Sequence, residues 1–389
     1  MRMDEAERRR RLAVRHALAA PVDSPEDVTA AVTALHSTDP ASMVLSVLAR
    51  LREPSIAEVE RALYEDRSLV RVLAMRRTVF AVPTADSPAY IASTQHSVAG
   101  PEYRKLRGMI ADSGIDAPDE WLAAAHAAAL AAFDRLEVFS SAELAAADPL
   151  LSTRIEIGAG TKYATQQSIA SRLLTVMSAE GHVVRARPTG TWASTQFRWA
   201  SMRRWLPDVG DLPDAADSRS LVARRWLSRF GPARPEDLQW WTGWTKGHTT
   251  AALATLDTAE VELDDGTGLV LADDLDPTPD PGPWVALLPA LDPTTMGWKH
   301  RSWYLGEHGP RVFDTTGNAG PTVWQDGRIV GGWAIRDDGT VAVRLLADVG
   351  TDAEKAIEQE AEALERRLAA TVVKARGRRW TPVEQELRG

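Results

Sequence analysis

Cysteine is absent from the 389 residues. That excludes a disulfide framework, a cysteine-ligated zinc site and an iron–sulfur cluster. Lysine is scarce, and none precedes Lys105. Long apolar runs are missing as well. No segment reads as long enough to span a bilayer, and the charged start MRMDEAERRRRLAVRHALA has no apolar region of the kind a signal peptide carries. A soluble cytoplasmic protein without a membrane partner is expected. An excess of positive charge is also missing: 45 Lys and Arg against 54 Asp and Glu give −9. This balance argues against a nucleic-acid partner unless the basic residues are segregated.

What is present suffices for large cores. At 44% hydrophobic and 25% charged, a chain of this length accommodates two to four domains. Helical patterns cover residues 5–18, 25–36, 40–52 and 55–66, with helix-start signals at Ser24 and at Ser55-Ile-Ala-Glu58. Strand-like runs follow at Ser68–Met75 and Thr78–Val82. A second helical region fills 84–136. Ser140-Ser-Ala-Glu143 then has capping-box spacing, and Thr161 is placed to cap a helix Lys162–Ala179 ended by Gly181. A hairpin over 182–199 comes next. Helices over 220–257 and a hairpin at 261–271 repeat the pattern a third time. Residues 283–350 are β-rich, with Gln325-Asp-Gly-Arg328 as the clearest hairpin turn, and Asp352–Ala370 reads as a final helix. The acidic, proline-rich segment 273–283 is the most linker-like. These readings give an α+β chain: three tandem winged-helix motifs at 1–84, 137–210 and 211–272, a helical connector at 85–136, and a β-rich layer with a C-terminal helix at 283–389.

Charge is segregated along the chain. No acid lies between Glu180 and Asp208, where Arg185, Arg187 and Arg198 stand, and Arg71, Arg76 and Arg77 fall between Arg67 and Asp86. Acids concentrate at 257–280 and 352–365. One basic face with an acidic back suits contacts to nucleic-acid phosphates.

A polar knot, Leu35-His-Ser-Thr-Asp-Pro40, interrupts two apolar helical runs. Pro40 disfavours helical backbone at Asp39 and suits the first position of a new helix. One helix is therefore expected to stop near Thr38, which would leave His36, Thr38 and Asp39 together on a helix-to-helix turn. An imidazole, a hydroxyl and a carboxylate are groups that position and deprotonate water. On residue types alone, a helix-capping Asp39 and a half-buried His36 account for the same residues.

Several blocks resemble the winged-helix DNA glycosylases of the AlkZ/YcaQ type: LHSTDPASMVLSVLAR, RSLVRVLAMRRTVFAV, GHVVRARPTGTWASTQFRWA, RRWLSRFGPARPEDLQWWTG, and LLPALDP with RSWYLG and PTVWQDGRIVGGW. The resemblance covers nearly the whole chain. It implies a concave basic channel around double-stranded DNA and excision of alkylated purines, bulky adducts among them, without a cofactor. It also implies an enzyme associated with the bacterial nucleoid, with a role in base excision repair and in self-resistance to DNA-alkylating antibiotics. The two glutamines of the family's catalytic motif fall on His36 and Thr38 here, followed by Asp39. Asp39 is then expected to supply the negative charge or general base, with His36 and Thr38 holding the attacking water. Without a lysine near the knot, a monofunctional glycosylase fits better than a Schiff-base lyase. DNA contacts are expected from Arg71, Arg76, Arg77, Arg185, Arg187, Trp192 and Arg198.

The alternative from another class is a non-catalytic winged-helix DNA binder, either a regulator or a damage-binding protein. No separate dimerisation helix or ligand domain is evident, and a monomer is expected. His300 and His308 read as surface residues, so no metal site is expected. Trp226, Trp240 and Trp241 read as core. Gly158-Ala-Gly160 is a weak phosphate-cradle signal.

Overall fold

The computed structural model describes residues 1–158, 164–368, 373 and 379–389. Its strands are β1 (Leu35–His36), β2 (Leu69–Leu73), β3 (Val79–Pro83), β4 (Val138–Phe139), β5 (Arg154–Ile157), β6 (Thr165–Ser168), β7 (Val183–Ala186), β8 (Arg198–Ser201), β9 (Thr258–Leu263), β10 (Gly266–Leu271), β11 (Val285–Leu288), β12 (Thr322–Gln325), β13 (Arg328–Ile335) and β14 (Val341–Leu345). The first two hairpins do not stand apart. They merge into a six-stranded sheet in the order β1-β3-β2-β7-β8-β4. Four of the five residues of β2 are buried, so both its faces are covered and the strand reads as a continuous apolar run. The junction is narrow: β2 meets β7 through the single pair Arg71↔Arg185.

Helix starts are the best-read local feature. Ser24, Ser55, Ser140 and Thr245 each accept a backbone N–H from the third helical residue. At Ser140 the capping box is complete. At Ser55 the reciprocal half is not formed, because the Glu58 carboxylate accepts from Arg61 instead, at 2.8 Å.

Three expectations need correction. The helix expected over 162–179 spans Ile169–Ala179, capped by Ser168, while Thr165–Ser168 pairs with Arg154–Ile157. Thr-Gln-Gln-Ser offers no apolar stripe to bury as a helix, and the stripe begins only at Ile169. Thr161 and Lys162 lie outside the described residues, as do the last two members of Gly158-Ala-Gly160. Second, the linker-like segment is tied down. Thr278 N donates to Glu7 at 2.9 Å, and Arg11 and Arg15 reach Asp274 at 3.1 and 2.5 Å. The N-terminal helix Glu5–Arg15 thus holds the acidic loop by charge. Third, a helix at Pro382–Arg388 follows the expected long one, which spans Thr351–Leu368.

Strands β11–β14 form an antiparallel sheet in sequence order. Gly331 in β13 is required by close approach, since a Cβ there would lie 2.4 Å from the Arg344 carbonyl oxygen. One buried cluster joins Val44, Val47 and Leu48 of the helix Pro40–Leu48 to Leu287, Val323 and Trp333 of this sheet. Each such side chain contributes about 1.5–3 kcal/mol by leaving water. Just beyond the helix, Arg50 makes a fully buried bidentate pair with Asp292, at 2.9 and 2.7 Å. Packing and charge together fix the helix after the polar knot against the β layer.

Candidate active site

The knot is not a helix-to-helix turn. The helix Pro25–Val32 stops four residues earlier than expected. Thr33 takes φ 69°, and its carbonyl accepts from the Tyr90 hydroxyl at 2.9 Å. Leu35 and His36 then pair with Ala81 and Phe80 as β1. Pairing satisfies backbone groups that a frayed helix end would leave open. Ser37 N continues the ladder, donating to Val79 O at 2.8 Å.

His36 is buried, with its ring edge-on to Phe80 at 5.4 Å. Its Nδ1 is enclosed and has no hydrogen-bond partner among the described residues. Burial, and then the nearby Arg76 guanidinium, lower its pKa to about 3. The imidazole is therefore neutral across the physiological range. Thr38 is exposed, and its Oγ1 accepts from Val79 N at 3.1 Å.

Asp39 occupies the N-cap position of Pro40–Leu48 with extended backbone, as the following proline requires. Its carboxylate takes no capping N–H. Among the described residues it accepts only the Ser42 hydroxyl, at 3.0 Å, and it faces a small groove lined also by Pro289, Ala290, Trp333 and Glu384. No hydrogen bond joins His36, Thr38 and Asp39 to one another. His36 belongs with Phe80 and Arg76, Asp39 with the groove, and Thr38 lies between them in the chain.

The expected DNA contacts divide by burial. Arg71 is buried, donates to Ala186 O at 2.8 Å, and so ties the two hairpins together rather than facing a ligand. Trp192 is buried in the core beside the first helices. Both depart from the expected contact roles because neighbouring strands and helices cover them. Arg77, Arg187 and Arg198 are accessible, and each has a carboxylate partner: Glu102 at 2.6 Å, Glu60 at 2.7 Å and Glu143 at 3.2 Å. Arg185 lies against the rings of Phe197 and Trp199, at 4.5 and 4.3 Å.

Arg76 is different. It has no carboxylate partner among the described residues, and its guanidinium lies 4.5 Å from the Trp240 ring. It sits in the turn between β2 and β3, where Arg76 and Arg77 both take positive φ, 52° and 60°. Such backbone costs energy in non-glycine residues and persists where surrounding structure enforces it. The neighbour here is Gly243, whose own φ of +72° ends the helix Pro235–Thr242.

Sequence reasoning missed Arg301, which also lies over Trp240, at 4.9 Å. It also placed Trp240 in the core, where the structure leaves that ring half-buried beneath two guanidiniums. The signal was the Trp240-Trp241 doublet: Trp241 is buried as expected, and on a helix its neighbour faces elsewhere.

His126, Glu180 and His182 have ligand atoms within 4.8 Å of one another. His126 Nε2 and Glu180 share a hydrogen bond at 2.9 Å, which accounts for the contact without an ion. Burial and then the adjacent His126 ring lower the His182 pKa. Glu180 is 54 residues from His126, so no sequence spacing announced the cluster.

The family model for AlkZ-like DNA glycosylases matches residues 29–367. Among solved structures, the Streptomyces sahachiroi DNA glycosylase AlkZ superposes with a TM-score of 0.76 at 20% identity, covering 97% of this chain and 100% of that one. The likeness at that identity concerns the fold. No curated protein matches. No described helix is long and apolar enough to cross a membrane.

Proposed function

The chain belongs to the AlkZ-like DNA glycosylase family, and on that premise we propose that it excises cationic alkylpurines, N7-alkylguanine or N3-alkyladenine, from duplex DNA by attack of water at C1′. The observation that carries this reading is the Asp39 carboxylate. It stands at a helix N-cap without spending its charge on the helix. An anion there is stabilised by the helix dipole and remains available to a developing oxocarbenium ion.

In the reaction, the purine leaves with the bonding electron pair, which cancels its positive charge, so no strong acid is required. Water oxygen bonds to C1′, and its proton passes to Asp39. Thr38 accepts from the backbone through Oγ1, and its own hydroxyl proton is left to orient the water. His36 holds water through Nε2, since Nδ1 is enclosed. A neutral imidazole also avoids repelling a cationic base. No lysine amine enters, and a monofunctional enzyme follows from this scheme.

The recurrence of helices followed by a hairpin supports winged helices at 1–84, 137–210 and 211–272, with 85–136 as connector and 283–389 as the β-rich layer. DNA would lie in a concave channel between them. The substrate range extends in this reading to bulky natural-product adducts, with self-resistance as the benefit. The protein acts as a cytoplasmic monomer.

Single-turnover release of N7-alkylguanine, with abasic sites revealed by alkali, tests the scheme. Asp39→Asn should slow release roughly a hundredfold, about 3 kcal/mol of barrier, and His36→Ala comparably, with DNA affinity nearly unchanged. Wild-type rates in both variants would refute the assignment. Absence of release by the wild type would favour a damage-binding protein.

A further inference from the structure

Resting on the DNA-glycosylase reading, we infer that Arg76, Trp240 and Arg301 form the seat of a DNA backbone phosphate beside the attacked nucleotide, and that Arg301 is a positioning residue for that strand. Three separate segments build the cluster. Arg76 comes from the β2–β3 turn, Trp240 from the helix Pro235–Thr242, and Arg301 from the loop before the short helix Ser302–Leu305. Both guanidiniums lie against one indole, at 4.5 and 4.9 Å. Neither has a carboxylate within ion-pair distance among the described residues. The Arg76 Nε is enclosed with no acceptor, and the hydrogen bond found for Arg301 goes to the Met296 sulfur at 3.9 Å. A buried donor without an acceptor costs energy that an incoming anion recovers.

The two guanidiniums also act on each other as like charges. Burial, and then Arg301, lower the pKa of Arg76. Fifteen other arginines are paired with a carboxylate within 3.2 Å or less, from Arg2 to Arg311; Arg76 and Arg301 share an indole instead, and Arg301 lies also over Phe313, at 4.6 Å. A planar guanidinium fork matches phosphate oxygens, and the indole holds each cation without neutralising it.

The cluster is also preorganised. Asp237, fully buried on the same helix as Trp240, accepts from Lys299 N and His300 N at 2.9 and 2.8 Å and from Arg234 N at 3.0 Å. That carboxylate fixes the loop immediately before Arg301. Gly243 fixes the other side, with its missing Cβ leaving room for the Arg76 side chain 3.0 Å away. Ring contacts place the seat next to the knot: His36 meets Phe80 at 5.4 Å, and Phe80 lies 6.1 Å from Trp241, the chain neighbour of Trp240.

The test uses the full-length protein, duplexes carrying a single N7-alkylguanine, and a neutral methylphosphonate at each phosphate flanking it in turn. Arg301→Met keeps an apolar stem over Trp240 and loses the charge; Arg301→Lys keeps the charge and loses the fork. Arg301→Met is expected to weaken binding about tenfold and to lower the log–log salt slope by roughly 0.9. One methylphosphonate should weaken wild-type binding similarly and have little further effect on Arg301→Met. Arg301→Lys should recover the salt slope and only part of the affinity. Full additivity at every phosphate, or an unchanged salt slope in Arg301→Met with a wild-type melting temperature, would overturn the proposal and leave a packing role. Binding, followed by fluorescence anisotropy of a labelled duplex, is read separately from base release, so a wild type that binds but releases nothing refutes the glycosylase chemistry while the phosphate seat stands or falls on the binding data.

Discussion

Asp292→Asn keeps the shape of a side chain and removes one buried charge. Arg50 and Asp292 are both fully buried. The guanidinium donates twice to Asp292, to the carbonyls of His16 and Ser46 at 2.9 and 2.7 Å, and to Thr294 Oγ1 at 2.8 Å. Asp292 in turn accepts from Thr294 N at 2.9 Å. Breaking one partner of a buried pair costs about 3–5 kcal/mol, because the remaining charge stays buried without its counter-charge. The neutral acceptors around Arg50 persist in the variant, so the lower end applies, about 3 kcal/mol. Urea unfolding followed by tryptophan fluorescence should show a clear drop in midpoint. Asp23→Asn is the control. Its partner Arg52 and Asp23 itself are largely exposed, at 63% and 78%, and exposed pairs contribute little. Replacing the pair together, Arg50→Met with Asp292→Leu, should recover most of the loss, since no charge is then stranded. Because Arg50 follows the helix that begins after Asp39, Asp292→Asn should also slow base release at temperatures where it remains folded. A midpoint equal to that of the wild type would refute the claim that this pair pins the helix to the β layer.

Two further outcomes follow from the same contacts. His36 has a folded-state pKa of about 3 against an ordinary value near 6.5. Between those values the unfolded chain binds the proton and the folded one does not, so stability is full above pH 6.5 and falls as pH drops through that window. At pH 5 the loss should be about 2 kcal/mol, and His36→Asn should flatten the unfolding midpoint between pH 5 and 8. Buried His16, also lowered by burial, leaves a residual slope in the same direction; an unchanged slope in His36→Asn would contradict the assignment. Gly243→Ala combines a φ of +72° with a Cβ 3.0 Å from Arg76. It should cost about 1 kcal/mol and reduce DNA affinity by moving Arg76, whereas wild-type binding would show that Arg76 needs no fixed position.

Much of the fold was legible because it rests on local signals. Caps at Ser24, Ser55 and Ser140, the hairpin at Asp264-Asp-Gly266 and the turn at Asp326-Gly327 are each written in a few neighbouring residues. The site was legible in its residues and not in its geometry. Leu35 and His36 form a strand only because β3 offers its edge, and that partner lies more than forty residues on. The short Thr165–Ser168 strand likewise depends on Arg154–Ile157. Arginine posed the same difficulty. Whether Arg71 is covered, Arg187 paired with a carboxylate or Arg76 laid on a ring depends on contacts from Ala186, Glu60 and Trp240, none adjacent in sequence. The glycosylase-like blocks were recognisable for their packing: Gly331 has no room for a side chain, and Asp292 is half of a buried pair.

The narrow union of β2 with β7 has a mechanical consequence. The residue pair, the Arg71 guanidinium reaching Ala186 O and one buried cluster holding Val70, Val72, Val184 and Ala186 join the two hairpins into one packed unit. A duplex lying across both would meet a template of fixed spacing. The work of fitting would then fall on the nucleic acid, as bending or local unstacking, and a base whose stacking an adduct has already weakened would be the cheapest to displace.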